Sequence, residues 1–261
     1  MNYPNGLASF GIPVFGTLPA IRGTYYFVDP YQGSDGNTGK TRSKAFASIS
    51  KAYAACTDGV GDGIALLSGG TTTANTTSYL TAAITWSKSG ITLVGVSAPT
   101  YMYGRARIAN ASTATALATL ITMSGNNNAF YNIHMFNGGS DATALGCLSV
   151  TGDRNYFENC HIAGAAHATP AVLTGSNSLS LSGCEDSTFV NCTFGTDTVD
   201  QDGSQVDTGV VKIASLCGRI LFKGCKFIAY LTYSNSTNGL IHMVGAGDCI
   251  MRHVIFDDGK R

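Results

Sequence analysis

The chain repeats itself. The segments NAFYNIHMF (128–136), NYFENCHIA (155–163), STFVNCTFG (187–195), ILFKGCKFI (220–228) and CIMRHVIFD (249–257) align residue for residue. Their first shared apolar position is Phe130, Phe157, Phe189, Phe222 and Met251. The third residue after it is Ile133, Cys160, Cys192, Cys225 and Val254, and the fifth is Met135, Ile162, Phe194, Phe227 and Phe256. Successive units are offset by 27, 32, 33 and 29 residues, and ITLVGVSAP (91–99) fits as a weaker earlier member. Upstream of each unit lies a second short strand pattern, LITMSG (120–125), CLSVTG (147–152), LSLSG (179–183), VKIAS (211–215) and LIHMVG (240–245). A unit of short strands and tight turns cannot bury its apolar face alone, so consecutive units must stack.

The period leaves few architectures. A leucine-rich repeat needs a regular Leu ladder, and a propeller blade needs about 40 residues and four antiparallel strands. A parallel β-helix needs about three short strands per coil and tolerates insertions at its corners, which fits the drift from 27 to 33. The expected fold class is all-β, a right-handed parallel β-helix (a single-stranded solenoid) about seven coils tall, with equivalent residues stacked at the strand spacing of ~4.8 Å. Phe130, Phe157, Phe189 and Phe222 then form one inner ladder, and Cys160, Cys192 and Cys225 another. Composition agrees. The 261 residues include 32 Gly, suited to tight corners, but only 16 Lys+Arg and 16 Asp+Glu with zero net charge. That balance argues against a long exposed helix and against nucleic acid, which needs a basic footprint. No apolar run approaches the ~20 residues that span a bilayer, so no membrane partner is expected.

Ahead of the repeats, residues 1–23 read as an extended arm, broken by Pro4, Pro13 and Pro19 and lacking the basic start of a secretory signal. Its apolar residues Leu7, Phe10, Ile12, Val14, Phe15 and Leu18 are expected to dock on a partner. A strand at 25–28, a turn-rich loop at 29–40 and a helix at 43–56 follow. In that helix Phe46, Ile49, Ala52, Tyr53 and Cys56 share one face and Ser43 is the N-cap. The remainder, 24–261, is one β-helix domain.

The segment YFVDPYQGSDGNTGKTRSKAFASISKAYAACTDGVGDGIALLSGG (26–70) resembles the opening of pectate-lyase-like right-handed β-helix proteins, in which a strand, an SDGNTG-type loop, a capping helix and a GD-initiated strand occur in this order. The coil motif FxNCxΦ recurs in the same superfamily. The arm ahead of a capped helix also resembles tailed-phage virion proteins. The second resemblance implies a structural virion protein, a capsid decoration protein docked by its arm on the phage major capsid protein or another virion protein, a homotrimer, located in the virion and not an enzyme. The alternative is a tailspike-like carbohydrate-active enzyme, a polysaccharide lyase or glycosidase, or an adhesin for a surface glycan. The first resemblance implies a calcium-binding Asp cluster and an Arg base on the outer face of one sheet, for which Arg154, Arg219 and Arg252 are the available arginines. None shares a strand pattern with two Asp residues.

The densest carboxylate cluster is GTDTVDQDGSQVD (195–207), with Asp197, Asp200, Asp202 and Asp207. Alternating Asp with Gly can wrap a hard cation such as calcium through oxygen ligands, although the spacing is not that of an EF-hand and equally suits a solvated insertion. Glu158, Glu185 and Asp186 fall on the outer face, and nothing pairs any of these carboxylates as acid and base, so no catalytic residue is assigned. SDGNTGKT (34–41) lacks the first glycine of a phosphate loop and reads as a structural cap loop. His134 and His161 follow the ladder position, so they point outward as a stacked, solvated pair. Cys184 and Cys217 each precede an aligned Phe by five residues and form a second matched pair at a turn. Trp86 and the tyrosines at 101, 103, 230 and 233 are the available sugar-stacking aromatics.

Overall fold

The computed structural model describes residues 19–67, 80–96, 106–111, 113–201, 208–214, 216–230 and 239–243, together with strands at 7–9, 12–15 and 255–257. Three parallel sheets wind into a β-helix. Sheet I has eight strands: Tyr25–Val28, Gly63–Leu67, Thr92–Val96, Ala129–Tyr131, Tyr156–Glu158, Thr188–Val190, Leu221–Lys223 and Ile255–Asp257. Sheet II has five: Ala106–Ala109, Ile133–Phe136, His161–Ala163, Thr193–Asp200 and Lys226–Tyr230. Sheet III has six: Ile84–Trp86, Thr119–Met123, Gly146–Val150, Leu179–Leu181, Gly209–Ile213 and Gly239–Met243. Among the described residues five coils carry all three strands, against the expected seven, and the earliest turns contribute strands to sheets I and III.

The coil motif encodes a corner. In the four units whose corner is described, the residue after the first short strand, Asn132, Asn159, Asn191 or Gly224, sits at φ 57, 53, 51 or 62°. That left-handed conformation swings the chain from sheet I into sheet II, and Asn and Gly are the residues that tolerate it. The corner N–H groups are satisfied by the next coil: Asn132 donates to the Glu158 carbonyl at 2.9 Å, Asn159 to Val190 at 3.0 Å and Asn191 to Lys223 at 2.8 Å. The cysteine that follows is small and carries a weak donor. Cys160, Cys192 and Cys225 each reach the carbonyl of the preceding coil's ladder phenylalanine, Phe130, Phe157 or Phe189, at 3.4, 3.5 and 3.3 Å. Cys160 and Cys192 are buried and Cys225 is half-buried.

A continuous aromatic column fills the tube. Trp86 is fully buried between Tyr53 of the capping helix (ring centroids 4.4 Å) and Phe130 (4.8 Å). The column continues through Phe157 (5.4 Å from Phe130), Phe189 (4.8 Å) and Phe222 (5.0 Å), the last two contacts nearly parallel. Trp86 is thus the head of the core ladder and offers no sugar platform. A buried polar ladder runs beside it. Asn155 Oδ1 accepts from the Asn128 backbone N–H at 2.9 Å, while Asn155 Nδ2 donates to the carbonyls of Gly125 and Gly152.

The capping helix is shorter than its periodicity suggests, spanning Ile49–Ala55 after a separate 3₁₀ turn at Arg42–Lys44. Phe46 leaves the helical pattern because its backbone bridges Val28 and its ring covers Gly39, where a Cβ would overlap it. Ser48, not Ser43, is the N-cap, accepting from Lys51 N at 3.2 Å. Asp35 of the SDGNTG loop holds it there through the N–H groups of Ala47 and Ser48, both at 2.9 Å, so that loop is a structural brace. At the other helix end Lys88 Nζ donates to the carbonyls of Tyr53, Ala54 and Cys56 at 2.8, 3.1 and 2.6 Å. Those are the acceptors a helix terminus leaves unpaired, and a cation there also opposes the helix dipole. Lys88→Met should lower stability by about 1–2 kcal/mol, read as a shift of the urea midpoint, with Lys88→Arg recovering part of it.

Near the N-terminus, strands Leu7–Ser9 and Ile12–Phe15 pair antiparallel. The arm therefore folds back on itself instead of running out as one extended segment. The side chains of Leu7, Phe10, Ile12, Val14, Phe15 and Leu18 lie outside the described residues.

Candidate functional site

Chemistry-bearing side chains converge on the outer face of sheet II. Alternation along each strand sends Ile108, Ile133, Met135, Ile162 and Phe194 inward. The intervening residues face outward, and the register places Arg107, His134, His161, Thr193 and Lys226 in one column. A neighbouring column holds Ala109, Phe136 and Ala163. Between them opens a groove of about 390 Å3, lined by Arg107, His134, Phe136, His161, Lys226 and Ile228 among others. Arg107 and Lys226 lie four strand spacings apart, about 19 Å at ~4.8 Å each. The groove thus runs along the helix axis and is long in one direction.

Its floor is held by a chain of directed contacts. Arg107 Nε donates to His134 Nδ1 at 3.0 Å, and the guanidinium carbon lies 5.8 Å from the centre of the Phe136 ring. His134 stacks on His161 with ring centroids 4.6 Å apart and planes at 18°. His161 Nε2 donates to the Gly195 carbonyl at 2.9 Å. The histidine pair is stacked, but it is not the solvated pair expected, since His134 is only 5% exposed. The two imidazoles are clamped between an arginine and a backbone carbonyl and build the wall of the groove.

One rim comes from a bulge. Thr196 pairs with Ala229 and Asp200 with Tyr230, so Asp197, Thr198 and Val199 have no counterparts in the neighbouring strand. Extra residues in one strand bend it and re-aim its side chains, and such bulges are common beside functional sites. Here Thr196 Oγ1 contacts Thr198 Oγ1 at 2.8 Å, and the exposed Asp197 carboxylate joins the groove lining.

Of the four aspartates considered for calcium, Asp197 stands on this rim and Asp200 has already rejoined the ladder. Asp202 and Asp207 lie outside the described residues. Among the described residues no three His, Cys, Asp or Glu side chains gather as a metal site. Arg154 and Arg219 stand at a second left-handed corner, between sheets III and I, with φ 54 and 55°. Arg219 binds Asp186 at 2.5 Å and Glu185 at 2.6 Å, and this contact holds the Asp186 carboxyl below its usual range. That corner is an exposed ion ladder remote from the groove. Arg252, Tyr101, Tyr103 and Tyr233 fall outside the described residues.

Sequence reasoning missed Arg107, Phe136 and Lys226. A signal for Arg107 existed: ARIA (106–109) precedes IHMF by the same 27 residues that separate His134 from His161, so it is one more repeat.

The fold is that of a right-handed parallel β-helix. No protein-family model and no curated protein matches the sequence. Among solved structures, a rhamnogalacturonan lyase matches with TM-score 0.54 at 17% identity over 90% of this chain and 66% of its own. The pectate lyase Pel9A matches with TM-score 0.47 at 16% identity over 78% and 53%, and the pectin methylesterase PemA from Erwinia chrysanthemi with 0.48 at 17% over 88% and 67%. The chain spans just under two thirds of the rhamnogalacturonan lyase's length. These identities carry the fold alone. The rhamnogalacturonan lyase match, an enzyme by name, overturns the ground for expecting that the chain is not an enzyme.

Proposed function

We propose that this chain is a carbohydrate-active β-helix protein whose outer groove on sheet II takes an extended acidic polysaccharide. The observation that carries the reading is that Arg107 and Lys226, at opposite ends of one column, line a single groove together with the aromatic Phe136 and the aliphatic Ile228. Cations spaced along an elongated groove suit a polymer bearing regularly spaced carboxylates. A guanidinium offers a planar fork that matches a carboxylate, and an aromatic face suits the apolar side of a sugar ring. Arg107 is already oriented by His134 and by the Phe136 ring, so it loses little freedom on binding. Asp197 on the opposite rim supplies an exposed carboxylate that can accept sugar hydroxyls or a proton.

Binding of polygalacturonate and of a neutral galactan should be compared by calorimetry, with turnover followed by reducing ends and by ultraviolet absorbance of unsaturated uronates. The expected result is saturable binding of the acidic polymer alone, weakened by salt as exposed charges are screened. Arg107→Gln and Lys226→Gln should each weaken it about ten-fold, roughly 1.4 kcal/mol. Equal affinity for both polymers, or no effect of either substitution, would sink the reading.

A further inference from the structure

Two cysteines outside the groove face each other across adjacent coils. Cys184 follows the sheet III strand Leu179–Leu181, and Cys217 follows the next one, Gly209–Ile213. Their sulfur atoms are 3.7 Å apart, and both residues are fully buried. The residues that follow them, Glu185 and Gly218, form a parallel bridge, so the two cysteines occupy equivalent positions. Equivalent positions on stacked coils lie ~4.8 Å apart, inside the Cα separation of about 4.4–6.8 Å that a disulfide spans.

We propose that Cys184 and Cys217 are a thiol–disulfide exchange site that accepts a low-molecular-weight disulfide, such as oxidised glutathione, and ends as a covalent link between two coils. The Cys217 thiolate attacks one sulfur of the oxidant, forming a mixed disulfide and releasing one reduced thiol. Cys184, on giving its proton to solvent, then attacks the Cys217 sulfur and expels the second thiol. The protein loses two protons and two electrons, and the disulfide oxidant takes them up to become two thiols.

The surroundings assign the roles. The Cys184 and Cys217 thiols share a hydrogen bond, and this contact, with the N–H groups of Cys184 and Gly183, holds the Cys217 thiol below its ordinary range despite burial. The same hydrogen bond and burial push Cys184 up. Cys217 is therefore the attacking sulfur, since the thiolate is the nucleophile, and Cys184 resolves. What covers the pair is a corner turn. Leu216, next to Cys217, is 65% exposed at φ 65°, and Gly183, next to Cys184, has open space where a Cβ would stand. A strained, exposed corner can open without disturbing the tube. The thiols of Cys160, Cys192 and Cys225 contact one another too, but each also has a backbone carbonyl acceptor.

The test uses the whole chain. Reduced protein is equilibrated in glutathione buffers from reducing to oxidising poise, quenched with N-ethylmaleimide, digested without reduction and mapped by mass. The expected product is one cross-linked peptide pair containing Cys184 and Cys217, with two thiols lost per chain and both restored by dithiothreitol. The oxidised chain should also unfold at higher temperature, by roughly 5–10 °C for a closed loop of this length. Full alkylation of both cysteines at the oxidising limit would overturn the proposal. So would a link within the Cys160–Cys192–Cys225 ladder in its place, or glutathione left permanently on Cys217. Mapping the wild-type chain makes the result independent of whether Cys184→Ser folds, and glycan binding plays no part in it.

Discussion

Phe189→Ala should lower the free energy of unfolding by about 4 kcal/mol, the range for deleting a buried phenylalanine. Phe189 is fully buried and sits in the middle of the aromatic column. It contacts Phe157 at 4.8 Å, Phe222 at 5.0 Å and Phe194 at 5.6 Å. Each aromatic pair adds about 0.5–1.5 kcal/mol beyond the area it buries. The effect is also topological. In a solenoid each coil touches only its neighbours, so a cavity at Phe189 weakens the coupling between the coils on either side. Urea unfolding followed by Trp86 fluorescence reports the helix-capped end, and far-ultraviolet circular dichroism reports the whole tube. In the wild type the two curves should coincide. In Phe189→Ala they should separate, with the Trp86 end melting later. Phe189→Leu, which keeps most of the volume, should cost less than about 1.5 kcal/mol. A loss below about 2 kcal/mol for the alanine variant would mean that the column is not what holds the coils together.

The column was legible in the sequence because a stacked coil repeats one phase. Phe130, Phe157, Phe189 and Phe222 meet for the reason that they align. The same logic located the cysteine ladder, the outward histidines and the Cys184–Cys217 pair. It failed where a long-range contact overrode a local pattern. Phe46 fits a helical face, yet a bridge to Val28 takes it out of the helix. It also failed on the outer face, where no burial constraint imposes a recurring residue type. Arg107 and Lys226 share only a register, and Phe136 stands in the column beside them. Nor does proximity in sequence bring side chains together: Asp197 and Asp200 are three residues apart, but the bulge between Thr196 and Asp200 puts only Asp197 on the groove.

Gly195→Ala tests whether that bulge makes the site. Gly195 sits at φ 90°, a region L side chains avoid, still paired with Ile228 just ahead of the bulge. A Cβ there would overlap the Ile228 carbonyl and stand 2.9 Å from Val210 Cγ1. Backbone and a packed valine cannot both yield, so the chain must give up the conformation. The strained backbone costs about 1–3 kcal/mol and the overlap a similar amount, for an expected loss of roughly 3 kcal/mol. The functional consequence follows from two contacts. The Gly195 carbonyl anchors His161, and the bulge that begins past the next residue, Thr196, carries Asp197 to the rim. Moving that carbonyl releases His161, then its stack on His134, then the clamp on Arg107. Affinity for the acidic polymer should fall by more than ten-fold, beyond the effect of Asp197→Ala alone. His161→Phe separates the two losses: it keeps a ring against His134 but cannot donate to Gly195, so it should weaken binding while changing the urea midpoint little. Were Gly195→Ala to bind as tightly as the wild type, the groove would owe nothing to the bulge, and Arg107 and Lys226 would have to be held by the strands alone.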